Sequence, residues 1–159
     1  MDGVSHPINF ASSDIDVDGN SLAEPWQIYL RIVGSFAIKV GENILYSEQG
    51  FCLVEFGIES QLWLKRVTKT QDDFVYTSQE SEELGLVWIK REGSVWRVGS
   101  VHQISAEPAT FQLQEIQRAL NRYFTELRNY VLRNFDVDIE SLFSWVQHEP
   151  RTGGPPHDA

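Results

Sequence analysis

From Leu113 to Val131 the apolar residues Leu113, Ile116, Leu120, Phe124, Leu127 and Val131 recur at intervals of three and four. Only a helix gathers that spacing on one face. Ala119, Tyr123 and Tyr130 broaden the stripe, and Arg118, Arg122, Arg128 and Arg133 fill the rest, with the basic groups toward the end that the helix dipole favours. Thr110, after Pro108 and Ala109, is the expected N-cap. A long helix with one apolar face needs a layer to cover it, and the sequence before it must supply that layer.

That earlier sequence reads mainly as strands. Ile28, Leu30 and Ile32 alternate with polar neighbours, and beyond Gly34 the alternation resumes at Phe36, Ile38 and Val40. The period of two predicts one long strand with a bulge at Gly34. Gly41, Glu42 and Asn43 then form a hairpin loop leading to Ile44, Leu45 and Tyr46. Between 51 and 67 the spacing of Leu53, Phe56, Ser60, Trp63, Leu64 and Val67 switches to the helical period, with Gly57 marking close packing on the sheet. A short strand at 74–76 follows. Two further runs, 86–90 and 95–101, flank Arg91, Glu92, Gly93 and Ser94 as a second hairpin, with Trp88 and Trp96 expected on one face as a cross-strand pair. Asp138 is placed to cap a shorter helix carrying Ile139, Leu142, Phe143 and Val146.

The order of these elements predicts an α+β class: an antiparallel sheet of about five strands, with the long C-terminal helix and one inserted helix packed on one face. Residues 1–25 are read as a polar N-terminal arm or edge hairpin, 26–147 as a single α+β domain and 148–159 as a disordered tail. At 159 residues there is material for one substantial core. The single cysteine, Cys52, sits in an apolar run, which predicts a buried thiol and excludes an internal disulfide. The opening residues lack the basic and apolar regions of a signal peptide, and no stretch has the length of a membrane span, so a cytoplasmic protein is expected.

Charge is the most uneven property of the chain. Between Met1 and Gly85 there are 14 Asp and Glu against 5 Lys and Arg, which accounts for nine of the ten net negative charges. Such a field attracts a basic partner and repels nucleic acid and anionic membrane. The arginines of the long helix, interrupted by Glu115 and Glu126, are expected to pair with the acidic half rather than to bind nucleic acid. Asp72 and Asp73 on one side of the 74–76 strand, and Glu80, Glu82 and Glu83 on the other, form the expected partner-binding surface. They lie at opposite ends of that strand or along one edge. Trp145, near the end of the last helix, is the tryptophan expected to be exposed and to anchor an interface.

Other patterns stop short of a chemistry. Asp14, Asp16, Asp18 and Gly19 open like a calcium loop, but Pro25 stands where the bidentate glutamate belongs, and an acidic strand ending in a turn is preferred. His102 has no nucleophile motif beside it and reads as a hydrogen-bonded strand residue. No closely spaced Cys/His set suggests zinc, and no glycine-rich phosphate loop is present. Catalytic residues, a metal and a cofactor are all expected to be absent.

The run 36–46, the hairpin carrying Trp88 and Trp96, and the closing helix resemble those of small bacterial domains of unknown function. In size, acidity and architecture the chain also resembles immunity proteins of bacterial toxin systems. That second resemblance implies a non-enzymatic inhibitor whose partner is a basic toxin or effector domain. The alternative is a small-ligand site between sheet and helices, and self-association into a homodimer is left open.

Overall fold

The computed structural model describes residues 6–19, 21–81, 83–104 and 109–148. Its architecture is α+β, with two antiparallel sheets in place of the single sheet expected. β1 (Ile8–Val17), β2 (Ile32–Val40) and β3 (Asn43–Cys52) form the first sheet in that order, while β4 (Phe74–Tyr76), β5 (Val87–Glu92), β6 (Val95–Gly99) and β7 (Thr110–Phe111) form the second. Four helices complete the described chain: α1 (Pro25–Arg31), α2 (Leu53–Thr70), α3 (Leu113–Phe135) and α4 (Leu142–His148), the last preceded by a 3-10 turn at Ile139–Ser141.

The extra elements come from segments whose pattern misleads. Residues 26–31, expected to begin a strand, belong to α1 because Pro25 sits at its first position and Glu24 and Gln27 make a reciprocal capping box. Tyr29 and Leu30, adjacent in sequence, are the residues it buries. The polar stretch before it supplies β1, which pairs with β2 from Ile8 opposite Val40 to Ser13 opposite Ser35 and buries Ile8 and Phe10. The register slips between Ser13 and Asp16, where Asp14 adopts a left-handed φ of 51°. The facing strand bulges between Gly34 and Phe36, as the sequence predicts. A Cβ on Gly34 would lie 2.7 Å from the Ser13 carbonyl oxygen, so only glycine allows this crossing.

α2 carries the centre of the core. The ring of Phe56 lies 5.0 Å from Phe36 and 5.8 Å from Phe51 in the first sheet, 5.4 Å from Tyr76 in the second, and 5.3 Å from Tyr123 on α3. One helix therefore bridges two sheets and covers apolar residues of each, which a single layer cannot bury by itself. Gly57 lies under α3: an added Cβ would sit 3.4 Å from Phe124 and 3.5 Å from Tyr123, so the close approach is to a helix and not to the sheet. The α3 stripe is buried as its spacing predicts, from Ile116 to Val131. The helix starts later than expected, because Thr110 joins β7 and Gln112 is the N-cap, its backbone N–H donating to Glu115 at 2.7 Å.

The second hairpin turns on Gly93 and Ser94, with Glu92 opposite Val95. A two-residue turn sets Trp88 opposite Gly99 and Trp96 opposite Arg91, which puts the two tryptophans on opposite faces and removes the expected pair. Trp96 is buried against Trp63, 5.6 Å between ring centres. Arg128 pairs with Asp138 and Glu140 of its own half of the chain, both at 2.9 Å, instead of with the acidic half. Asp138 also caps the 3-10 turn, accepting from the Glu140 N–H.

Candidate functional site

The sequence-assigned acids divide between the two ends of β4. Asp72 and Asp73 precede it with exposed side chains; the Asp72 carbonyl accepts the Trp63 indole N–H at 2.8 Å, and the Asp73 carboxylate accepts the Arg91 backbone N–H at 2.9 Å. Glu80 and Glu83 follow the strand, also exposed, and Glu83 pairs with His102. The three residues of β4 and the loop residues Thr77, Ser78 and Gln79 separate the two groups in the chain. Glu82 lies outside the described residues. Trp145 is half-buried and packs edge-on against Tyr29 at 5.3 Å, so it is a wall of the fold more than a free anchor.

Between those two acidic ends the structure adds a polar centre that the charge pattern did not suggest. Glu55, in the first turn of α2, is 1% exposed. Its Oε1 accepts from the Tyr76 hydroxyl at 2.8 Å and the Ser78 hydroxyl at 2.6 Å, and its Oε2 accepts from the Gln79 N–H at 3.0 Å. One turn further along, Glu59 accepts the Tyr29 hydroxyl. Both carboxylates line a cavity of about 180 Å³ whose other walls are Tyr29, Val75, Tyr76, Thr77 and Gln79. Here α1, α2 and β4 converge, elements far apart in sequence.

Burial decides the electrostatics. It raises the Glu55 carboxyl above its ordinary value, against the pull of the Ser78, Gln79 and Tyr76 donors, which favour the anion. It pushes the neighbouring Cys52 thiol up to about 12, although the Ser78 hydroxyl lies 3.6 Å from the sulfur. Cys52 is buried and free, as its apolar setting predicts, and a thiol held so far from ionising is a poor nucleophile. His102 lies in the turn after β6, exposed and paired with Glu83, rather than in a strand.

The calcium-like run falls on β1 and its end. Asp14 occupies the bulge, Asp16 accepts the Val17 N–H at 2.8 Å, and Asp18 lies 3.8 Å from Arg31. Among the described residues, no three His, Cys, Asp or Glu side chains are grouped to hold a metal ion. No helix among them is long and apolar enough to cross a membrane.

Residues 8–133 match the family model described as Domain of unknown function (DUF7878). The chain belongs to that family. No curated protein and no solved structure matches it. Tyr29, Glu55, Glu59 and the 75–79 segment all lie inside the DUF7878 span, whereas α4 and Trp145 lie beyond it.

Glu55 and Glu59 escape a reading based on charge because they sit in a helix chosen for its apolar spacing. The available signal was a carboxylate enclosed by Leu53, Val54, Phe56 and Ile58, a setting that requires a buried partner.

Proposed function

We propose that this chain is a non-enzymatic, acidic protein-binding module of the immunity type, which neutralises a basic toxin or effector domain by covering its cationic surface. The observation that carries this reading is the mixture of exposed apolar and acidic groups around β4. Val75 is 54% exposed and Leu84 is 74% exposed, and both stand close to Glu80 and Glu83 in the chain. The Val101 N–H donates to the Gly85 carbonyl and the Ile104 N–H to the Leu45 carbonyl, which brings exposed Val101, Ile104 and Ile44 to the same region. Apolar contacts supply affinity at such a surface, while the surrounding carboxylates speed encounter with a basic partner.

The test is affinity capture from the native host at low and moderate salt, comparing the wild-type chain with a variant reversed in charge at Asp72, Asp73, Glu80, Glu82 and Glu83. A stoichiometric basic protein should be captured by the wild type, be released as salt rises, and be missed by the variant. Equal capture by both would overturn the proposal.

A second reading, a small cationic ligand, is favoured by the two carboxylates that line the 180 Å³ cavity. It predicts a rise in melting temperature with simple amines or guanidines, abolished in Glu59→Gln.

A further inference from the structure

We infer that β4 is a docking edge: an extended segment of the partner adds as a strand beside Phe74–Tyr76 and places a lysine or arginine head in the cavity lined by Glu55 and Glu59. This rests on the acidic-binder proposal and specifies how the partner is held.

The edge itself is the first observation. β4 ends the order of the second sheet and pairs only with β5, so one side of its backbone lacks a ladder partner among the described residues. Other edges of the two sheets are guarded or short. β1 carries the Asp14 bulge and Asp16, devices that discourage strand addition; β3 receives the Ile104 N–H at Leu45; and β7 has two residues. β4 has neither a bulge nor a charged side chain within it, and its central residue, Val75, is exposed.

The position of the cavity is the second observation. Val75 and Tyr76 point to opposite faces of the strand, yet both line the cavity, and no residue of β5 does. The cavity therefore opens at the free edge and not over a face. Opposite the strand stand Glu55 and Glu59 from α2 and Tyr29 from α1. A chain paired along β4 would direct alternate side chains into that space, which has room for a guanidinium or ammonium head. Asp72 before the strand and Glu80 after it are exposed and add to the same charge preference, while Asp73 and Glu83 are turned to Arg91 and His102.

The probe is a fluorescein-labelled peptide, acetyl-Thr-Val-Arg-Val-Thr-amide, titrated into the full chain by anisotropy and mapped by backbone amide NMR. The expected result is salt-sensitive binding, with the largest shifts and new amide protection at residues 74–79. Replacing the arginine with citrulline, or Glu59 with Gln in a variant shown to fold, should weaken binding about tenfold or more. Salt-sensitive binding that maps elsewhere and ignores Glu59→Gln would overturn edge docking while leaving the acidic-binder proposal standing. If neither this peptide nor a scrambled basic control bound in low salt, both would fall.

Discussion

The Ser78 hydroxyl donates to the Glu55 carboxylate at 2.6 Å, fastening the loop after β4 to the first turn of α2. That loop follows directly on the proposed docking strand, so the bond ties an internal carboxylate to the strand's C-terminal end. Its energetics depend on which charge state the native fold prefers.

Burial raises the Glu55 pKa above its ordinary value of 4.5, so the folded chain holds this proton more tightly than the unfolded chain. The resulting stabilisation is complete below the unfolded value and is lost as pH rises through the raised native value. The difference in unfolding free energy between wild type and Glu55→Gln should therefore shift against the wild type on going from pH 4 to pH 8 in urea titrations. A difference that shifts in favour of the wild type would mean that the three donors outweigh burial.

Cys52 should resist a thiol-specific chromogenic reagent at pH 8 in the native chain and react at once in denaturant. The basis is a buried sulfur with its pKa pushed up to about 12. Rapid stoichiometric labelling without denaturant would contradict it.

Gly57→Ala should stabilise the protein. The added methyl meets Phe124 and Tyr123 at ordinary contact distances of 3.4 and 3.5 Å, and alanine removes a helix-interior penalty of about 1 kcal/mol. Thermal unfolding gives the sign directly; a lower melting temperature would show that α2 and α3 cannot move apart by the little required.

Gly99→Ala should do the reverse. A Cβ there would fall 2.1 Å from the Trp88 ring, which lies across the glycine on the outer face of the second sheet and carries Lys90 at 4.9 Å. Displacing the indole should cost about 1–3 kcal/mol in urea unfolding. It should also change the intrinsic fluorescence; an unchanged midpoint would show that the ring swings away freely.

What the sequence reveals depends on how local the deciding interaction is. α3 is legible because its stripe repeats over many turns, and the second hairpin because Gly93 provides a positive φ between two apolar runs. α1 is hidden because Ile28, Leu30 and Ile32 alternate like a strand, while Pro25 and the Glu24–Gln27 box decide the conformation. β1 is hidden because its outer face is polar, and its partner strand is set by tertiary pairing. The two tryptophans share no face because Glu92 opposite Val95 sets Trp88 against Gly99 and Trp96 against Arg91. The four-residue loop expected from the sequence has the same parity, so the expected pair conflicts with either turn. The exposed acids of the candidate site can be read directly from charge. The cavity cannot, since its walls come from Tyr29, from Glu55 and Glu59, and from Val75, Tyr76, Thr77 and Gln79, which meet only through packing.

The contact between Trp145 and Tyr29 bears on how the protein can be shortened. Trimming the chain at Arg133, where the family match ends, would remove the indole that packs edge-on against Tyr29. Tyr29 is in turn the residue that hydrogen-bonds Glu59. A piece cut to the family boundary could keep every cavity-lining residue and still present a slackened wall, so its binding behaviour would not stand for that of the intact protein.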